Sequence, residues 1–404
     1  MRAGYVTGVT GGRTPVRRSI RSVRTFRLKL EAGEPYLGTA PEEGANREYF
    51  VRPPWRSLYS HRFETLLVRV EESDGEVGWG EALAPVGPEV AQLIVDRLLA
   101  PRLLGANPRD PRPLVKELAG LMRERGHLVG HQADAIAACD IALHDLAARM
   151  AGVSVAELLG GAFRHTLPVY VSGLPRPSDA GRVELARQWA TKGVGRIKLA
   201  LGYGVEPDIA TYDAIAAACP GAALAIDAHW AYSLADAERL GRALDERGGW
   251  FLEAPLAPED VEGHRHLANR ITTPVAIGET LRNRFEFADW LVRDAVDLCQ
   301  PDVARTGIVE AQAAATLAST RHRNVAPHHS VGLGVALAAG LQFAAATENL
   351  EAFEYQPSTL PHANRILSTP LETNGSTFDL PEGPGLGVAV DEDAVIALSE
   401  QTSQ

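Results

Sequence analysis

From Leu167 onward the chain repeats one unit, a short apolar run followed by a helical stretch. The runs fall at 167–172, 196–199, 223–227, 250–253, 275–279, 298–302, 325–328 and 352–355, with helical spacing in stretches such as 183–191, 234–247 and 308–321. Strand–helix alternation implies a parallel sheet covered by helices. Eight such units predict an α/β fold of the (β/α)8 barrel type, in which chemistry sits at the C-terminal ends of the strands. A doubly wound open sheet is the structural alternative.

The first 160 residues follow a different grammar. Phe26, Leu28 and Leu30 alternate with Arg27 and Lys29, which is strand periodicity. Stretches 65–71 and 76–81 flank Ser73-Asp74-Gly75 and predict a hairpin. Helical spacing follows at 90–104, 114–122 and 133–150, the last with Ile136, Cys139, Ile141, Leu143 and Leu146 on one apolar stripe. The expected organisation is a loose tail over 1–19, an α+β capping domain over 20–160 and a barrel domain over 161–370. The segment 371–404, with turn chemistry at Glu382-Gly383-Pro384-Gly385, would return to the cap. A charged, Gly/Pro-rich stretch over 31–54 reads as a long loop.

Composition excludes several classes. Lysine and arginine number 40 against 51 acids, a formal charge of −11, which argues against a nucleic-acid scaffold. No run of about 18 apolar residues occurs, so no membrane span is expected. Cys139, Cys219 and Cys299 are odd in number and far apart, which indicates neither a disulfide framework nor a zinc cluster and fits a reducing cytoplasm. Residues 1–30 hold many arginines and no acid, but lack the apolar core of a secretion signal; an organelle-targeting peptide is the alternative to a loose tail. Gly332-Leu333-Gly334 has Leu337 where a dinucleotide loop would need its third glycine.

The ends of the third, fourth and fifth runs are Asp227, Glu253 and Glu279, 26 residues apart in each step. On neighbouring barrel strands the three carboxylates would converge and repel, a conflict that a hard divalent cation removes. Mg²⁺ suits such all-oxygen ligation. Three unrelated helix N-caps are the plainer reading, although Glu is a poor cap. Lys198 lies in the second run, Asp302 closes the sixth, His328 and His329 close the seventh, and Glu354 lies in the eighth with Glu351 just before it. His229 follows Asp227 by two and would point the same way on a strand. His328 and His329 are neighbours, so only one of them can face the site.

Taken together, the acid triplet, Gly78-Trp79-Gly80-Glu81, Asp140-Ile141-Ala142-Leu143-His144-Asp145, Leu158-Leu159-Gly160-Gly161 and Gln300-Pro301-Asp302 resemble the enolase superfamily, mandelate racemase subgroup. The resemblance runs from about Ile20 to the C-terminus. It implies a cap on a modified barrel, Mg²⁺ held by Asp227, Glu253 and Glu279, and removal of the proton alpha to a substrate carboxylate. It also implies an Asp302–His328 dyad as base. The family's Lys-x-Lys on the second strand is here Lys198-Leu199-Ala200, so one of two opposed bases is replaced by alanine. Asp227-Ala228-His229 is similar to the arrangement in galactonate and mannonate dehydratases of this superfamily, which implies His229 as the acid for a leaving hydroxyl.

The expected function is therefore dehydration of an acid sugar, aldonate or aldarate, to a 2-keto-3-deoxy acid. Lys198 would add positive charge at the substrate carboxylate, and a protonated Glu354 would donate a hydrogen bond to it, with Glu351 as its substitute. Arg52, Arg56, Tyr49 and His329 are candidate substrate contacts, and the segments 31–54 and 55–62 would close the barrel mouth. A lactone cycloisomerase is the nearest rival, followed by a racemase or epimerase and by a catalytically idle metal-binding regulator. The expected partners are a small acid sugar and further copies of the chain in a homo-oligomer, with no nucleic acid and no membrane.

Overall fold

The computed structural model describes residues 18–32 and 48–402. The expected tail over 1–19 falls almost wholly outside these residues, as does 33–47 of the expected loop. The loop reading needs correction at its end. Strand β2 (Tyr49–Val51) pairs with β3 (Leu58–Ser60), so the chain enters the barrel mouth as a short hairpin.

The antiparallel cap sheet consists of β1 (Ile20–Glu31), β4 (Arg62–Glu72) and β5 (Val77–Ala82), with β4 in the middle. Its β5 lies on the helix His131–Ala151, and the two glycines of Gly78-Trp79-Gly80 permit that approach. A Cβ on Gly80 would stand 1.9 Å from the Ala138 carbonyl oxygen. The expected single helix over 90–104 is instead Pro88–Ile94, a π-helical turn over Val95–Leu99, and Ala100–Leu103. Pro101 has no N–H to continue an α-helical ladder, and the wider turn before it absorbs the mismatch.

The barrel strands are β6 (Thr166–Ser172), β7 (Arg196–Ala200), β8 (Ala223–Asp227), β9 (Leu252–Glu253), β10 (Val275–Ile277), β11 (Leu298–Cys299), β12 (Asn324–Val325) and β13 (Phe353–Tyr355). They pair in chain order, all parallel, and β13 lies beside β6. A Val325–Leu350 bridge and the hydrogen bond from Glu354 N to Pro327 O at 3.2 Å close the ring between β12 and β13. A helix follows each strand from β6 to β12, but after β13 a four-residue helix, Leu360–Ala363, runs into a 3-10 turn, Asn364–Ile366. The chain then adds β14 (Thr377–Asp379) antiparallel to β6. The helix Glu392–Thr402 lies along β1, where Glu392 meets Arg24 at 3.2 Å and Arg69 at 3.0 Å.

Strand alternation sets the level of the chemistry. Tyr170, Ala225, Phe251, Ala276, Leu298, Ala326 and Ala352 form a separate apolar cluster that fills the barrel floor. Two residues later along most of the same runs stand Ser172, Asp227, Glu253, Gln300, His328 and Glu354. An apolar layer thus carries a polar layer directly above it, and odd-numbered intervals between them pack outward against the helices.

Gly80→Ala is expected to destabilise the fold at the upper end of the ~1–3 kcal/mol typical of overpacking, because the obstructing atom belongs to a helix backbone. Gly120→Ala, with no heavy atom near its Cβ position, is expected to change stability by under ~1 kcal/mol. Equal shifts of the two urea midpoints would contradict the close approach of β5 to the helix.

Candidate active site

A cavity of about 240 Å³ opens at the C-terminal mouth of the barrel. Lys198, Asp227, His229, Glu279, His328 and Glu354 line it from the barrel side, and Trp55, Tyr59 and Arg62 from the cap. The expectation that the segment 55–62 meets the barrel mouth is thus met in space.

Lys198 is the central cation. Its Nζ lies 2.8 Å from Glu253 Oε2, 2.8 Å from Glu354 Oε1 and 3.9 Å from Asp227 Oδ2, with the lysine only 3% exposed. Burial disfavours its charge, but Glu253, Glu354 and Asp227 outweigh that and raise its pKa well above the usual lysine value. Glu354 is pushed up by burial yet held down to about 2 by Lys198 and His328. The expected protonated Glu354 is therefore corrected: the group is an ionised partner of Lys198. Glu351 bonds Trp250 Nε1 at 3.3 Å and Asn324 Nδ2 at 2.9 Å and does not line the cavity.

The three acids at the ends of the third to fifth runs do not stand as one cage. Among the described residues no three His, Cys, Asp or Glu side chains form a ready-made metal site. Register accounts for this. Asp227 pairs directly with Glu253, but Glu253 pairs with Ala276, so Glu279 comes from the loop three residues further on. Each acid also has another partner. Glu253 holds Lys198 and accepts from Gln300 Nε2 at 2.6 Å. Glu279 accepts from Trp230 Nε1 at 3.0 Å and lies 3.4 Å from His328 Nε2. In kind, the donors still suit a hard divalent cation. Burial first, then neighbouring carboxylates, push Asp227 up to about 7 and Glu253 up to about 8, which marks negative charge in excess of its compensation.

His328 is held by Asp302, whose Oδ2 lies 2.7 Å from Nδ1, leaving Nε2 toward the cavity. Asp302 is itself fixed by Ala304 N at 2.8 Å, as the cap of the helix Val303–Ser319. Burial opposes a charge on His328, but Glu354, Asp302 and Glu279 raise its pKa to about 9. His229 lines the same cavity by a different route from the one expected. β8 ends at Asp227, and His229 takes a left-handed φ of 48° while its N–H donates to Asp227 Oδ1 at 3.0 Å. Its ring stacks on Trp55 at 4.0 Å, and Trp55 Nε1 donates to Leu201 O at 3.0 Å. Burial lowers the His229 pKa. His229, Trp230 and Ala254 are all non-glycine residues with positive φ beside this cavity, a local strain typical of functional sites.

Four expected substrate contacts lie elsewhere. His329 faces away from the cavity, because it neighbours His328 on an extended segment; its ring stacks on Phe353 and burial lowers its pKa to about 4. Tyr49 OH donates to Glu64 at 3.0 Å and lies 3.3 Å from Lys29 Nζ inside the cap. Arg52 is buried over the Trp55 ring, at 5.8 Å from its centroid, and Arg56 is exposed outside the cavity lining. The cavity instead presents Trp55, Tyr59, Arg62 and Arg305, none of which had been singled out individually. For Arg305 the available signal was its place one helical turn past Asp302.

Residues 54–160 match the mandelate racemase / muconate lactonizing enzyme N-terminal domain, and residues 181–394 match the enolase C-terminal domain-like family. The chain belongs to the enolase superfamily. Within it, the chain is 34% identical over 367 residues to a D-galactarolactone cycloisomerase of Agrobacterium fabrum, covering 86% of this chain and 95% of that one. It is 30% identical over 381 residues to a D-xylonate dehydratase of Haloferax volcanii, covering 88% and 90%. A solved enolase-superfamily structure from Agrobacterium tumefaciens superposes with a TM-score of 0.89 at 33% identity, covering 94% of this chain and 98% of that one. No described helix of this superfamily member is long and apolar enough to cross a membrane.

Lys198→Met leaves Glu253 and Glu354 buried without their shared cation. It is expected to destabilise the protein by about 3–5 kcal/mol, read from urea unfolding. An unchanged midpoint would show that the lysine does not hold these acids together.

Proposed function

We propose that this chain is a Mg²⁺-dependent dehydratase of acid sugars, removing the proton alpha to the carboxylate and the hydroxyl on the next carbon. The observation that carries the reading is the one-sided proton machinery. His328, oriented by Asp302 at 2.7 Å, faces the cavity, while Ala200 lines it from β7 where the family's second lysine would stand. A racemase needs a proton carrier on each face of its intermediate. With one face inert, the intermediate goes forward by losing a leaving group.

In this reading Asp227, Glu253 and Glu279 would hold the cation, which supplies positive charge against the negative charge that builds on the substrate carboxylate. The residues around it do the rest. With the charge of Glu279 offset by the cation, His328 would lose part of what raises it to about 9, and its unprotonated Nε2 takes the proton from C2, while Asp302 steadies the imidazolium that results. Lys198 adds its charge at the carboxylate end of the cavity, screened from water by burial. His229, held flat against Trp55, gives a proton to the C3 hydroxyl as it departs. The C2–H and C3–O bonds break, C2=C3 forms, and water leaves. The enol then takes up a proton at C3 to give the 2-keto-3-deoxy acid.

Lactone ring opening is the second reading, favoured by the 34% identity to a D-galactarolactone cycloisomerase. It breaks the same pair of bonds, but the departing oxygen belongs to an acyl group and needs no acid. A catalytically idle metal binder accounts less well for a dyad kept at hydrogen-bond distance inside a cavity.

With a panel of aldonates and aldarates and their lactones, the enzyme is expected to form 2-keto acids in Mg²⁺ and none in excess chelator. His328→Asn should lower both alpha-proton exchange in D₂O and turnover by at least ~10²-fold. His229→Asn should retain exchange while losing dehydration; loss of both together would remove it from the leaving-group role. Retained turnover of a lactone by that variant would select ring opening instead.

Mg²⁺ at 100 times its Kd is expected to stabilise the wild type by about 2.7 kcal/mol, seen as a rise in Tm. The rise should vanish in Asp227→Asn. A wild-type Tm indifferent to Mg²⁺ would exclude the three acids as its ligands.

A further inference from the structure

Arg305 is a cavity cation that the proposed reaction leaves unused. It stands on the first turn of the helix Val303–Ser319, three residues after Asp302, and its side chain lines the cavity. Its Nε is buried without a hydrogen-bond partner, and its charge acts at longer range on Glu279, Asp302 and Asp134, favouring their ionised forms. The acids around it are already engaged: Asp302 with His328 at 2.7 Å, Glu279 with Trp230 at 3.0 Å, and Asp134 with Arg282 at 2.9 Å. The other cations of the cavity have carboxylate partners. Lys198 is bound to Glu253 and Glu354, and Arg62 Nε donates to Glu31 at 2.8 Å. Beside Glu279, Thr280 Oγ1 also lines the cavity, and it too is buried without a partner.

A guanidinium whose Nε is buried without a partner calls for acceptors, and its planar fork fits the two oxygens of a carboxylate. We propose that Arg305, assisted by Thr280, holds a second carboxylate of the substrate, so that the preferred acid sugar is a diacid, an aldarate, rather than an aldonate. This rests on the acid-sugar reading above and narrows it. The carboxylate beside Lys198 is the one next to the broken C–H bond; the one at Arg305 is at the far end of the chain and takes no part in bond breaking. A phosphate at that end fits less well, since it would bring up to two negative charges beside Glu279 and Asp302.

The test uses the full-length protein with Mg²⁺ and compares kcat/KM for aldarate and aldonate pairs of matched stereochemistry. Arg305→Met is expected to lower the aldarate-to-aldonate ratio by about 100-fold, and Thr280→Val by about 5-fold. A ratio unchanged while both substrates suffer equally would make Arg305 a support for the His328–Asp302 dyad and overturn the proposal. Arg305→Lys keeps the charge without the fork and should lower the ratio about 10-fold; if the methionine variant does not fold, an unchanged ratio in the lysine variant overturns the proposal. Calorimetric titration with glutarate, an unreactive diacid, separates the two readings. If no acid sugar is turned over, the dehydratase reading fails, yet glutarate binding weakened about 100-fold by Arg305→Met still supports the subsite. Equal glutarate affinity in wild type and variant overturns it.

Discussion

The ammonium of Lys198 between Glu253 and Glu354 is the contact around which the polar rim is arranged. Five buried or half-buried acids, Asp227, Glu253, Glu279, Asp302 and Glu354, share that rim. Their mutual repulsion in a poorly hydrated site has to be offset residue by residue. Lys198 takes two of them, His328 takes Asp302, and Trp230 donates to Glu279. What compensation remains incomplete is concentrated on Asp227 and Glu253, whose carboxyls are raised to about 7 and about 8. An excess of negative charge at the head of the apolar barrel floor is the setting in which an added cation, or a substrate bound through one, is worth most.

The cap is tied to this rim by directional bonds rather than by apolar contact alone. Glu81 at the end of β5 accepts from Leu333 N at 2.6 Å and Ala336 N at 2.8 Å, at the N-terminus of the helix Gly334–Ala345. A carboxylate there satisfies donors that the helix cannot pair internally and meets its positive end. On the same face, Trp55 spans the gap, bonding to Leu201 O and stacking on His229. The cap therefore sets the orientation of a proposed catalytic ring, and a change in the position of Trp55 changes what His229 can reach.

The barrel was legible because strand and helix have different periods, and the polar ends of the strands stood out against apolar runs. The helix over Leu234–Arg247 begins and ends where its spacing places it. The polar strand ends pointed to Lys198, Asp227, His328 and Glu354, all of which line the cavity, while alternation alone left His328 against His329 and Glu354 against Glu351 open. Where the chain leaves the strand the route differs from the one the pattern implied. Equal steps of 26 residues suggested three acids converging on one rim; β10 ends at Ile277 and delivers Glu279 to the cavity from a loop. His229 reaches the cavity through a left-handed backbone rather than by strand alternation. Arg52, Arg56 and Tyr49 were chosen for chemistry on a segment whose short hairpin fixes a different set of side chains toward the mouth. Such positions depend on turn geometry and long-range packing, for which composition and period carry no signal.

Ala200, standing where the family resemblance would place a lysine, bears on the direction of the proposed chemistry more than any added residue. In the proposed reaction a proton removed by His328 from one face can return only from that face, so the dyad alone would restore the starting stereochemistry. Net reaction would then require a second event on the neighbouring carbon, and His229, from the loop after β8, is stacked on Trp55 in the cavity that Ala200 also lines. Under the proposed reading, elimination follows from this asymmetry for a hydroxyl and for a lactone oxygen alike. The two differ in how much the leaving atom depends on a proton from the protein, so selection between them falls to the groups that orient the far end of the substrate rather than to the base.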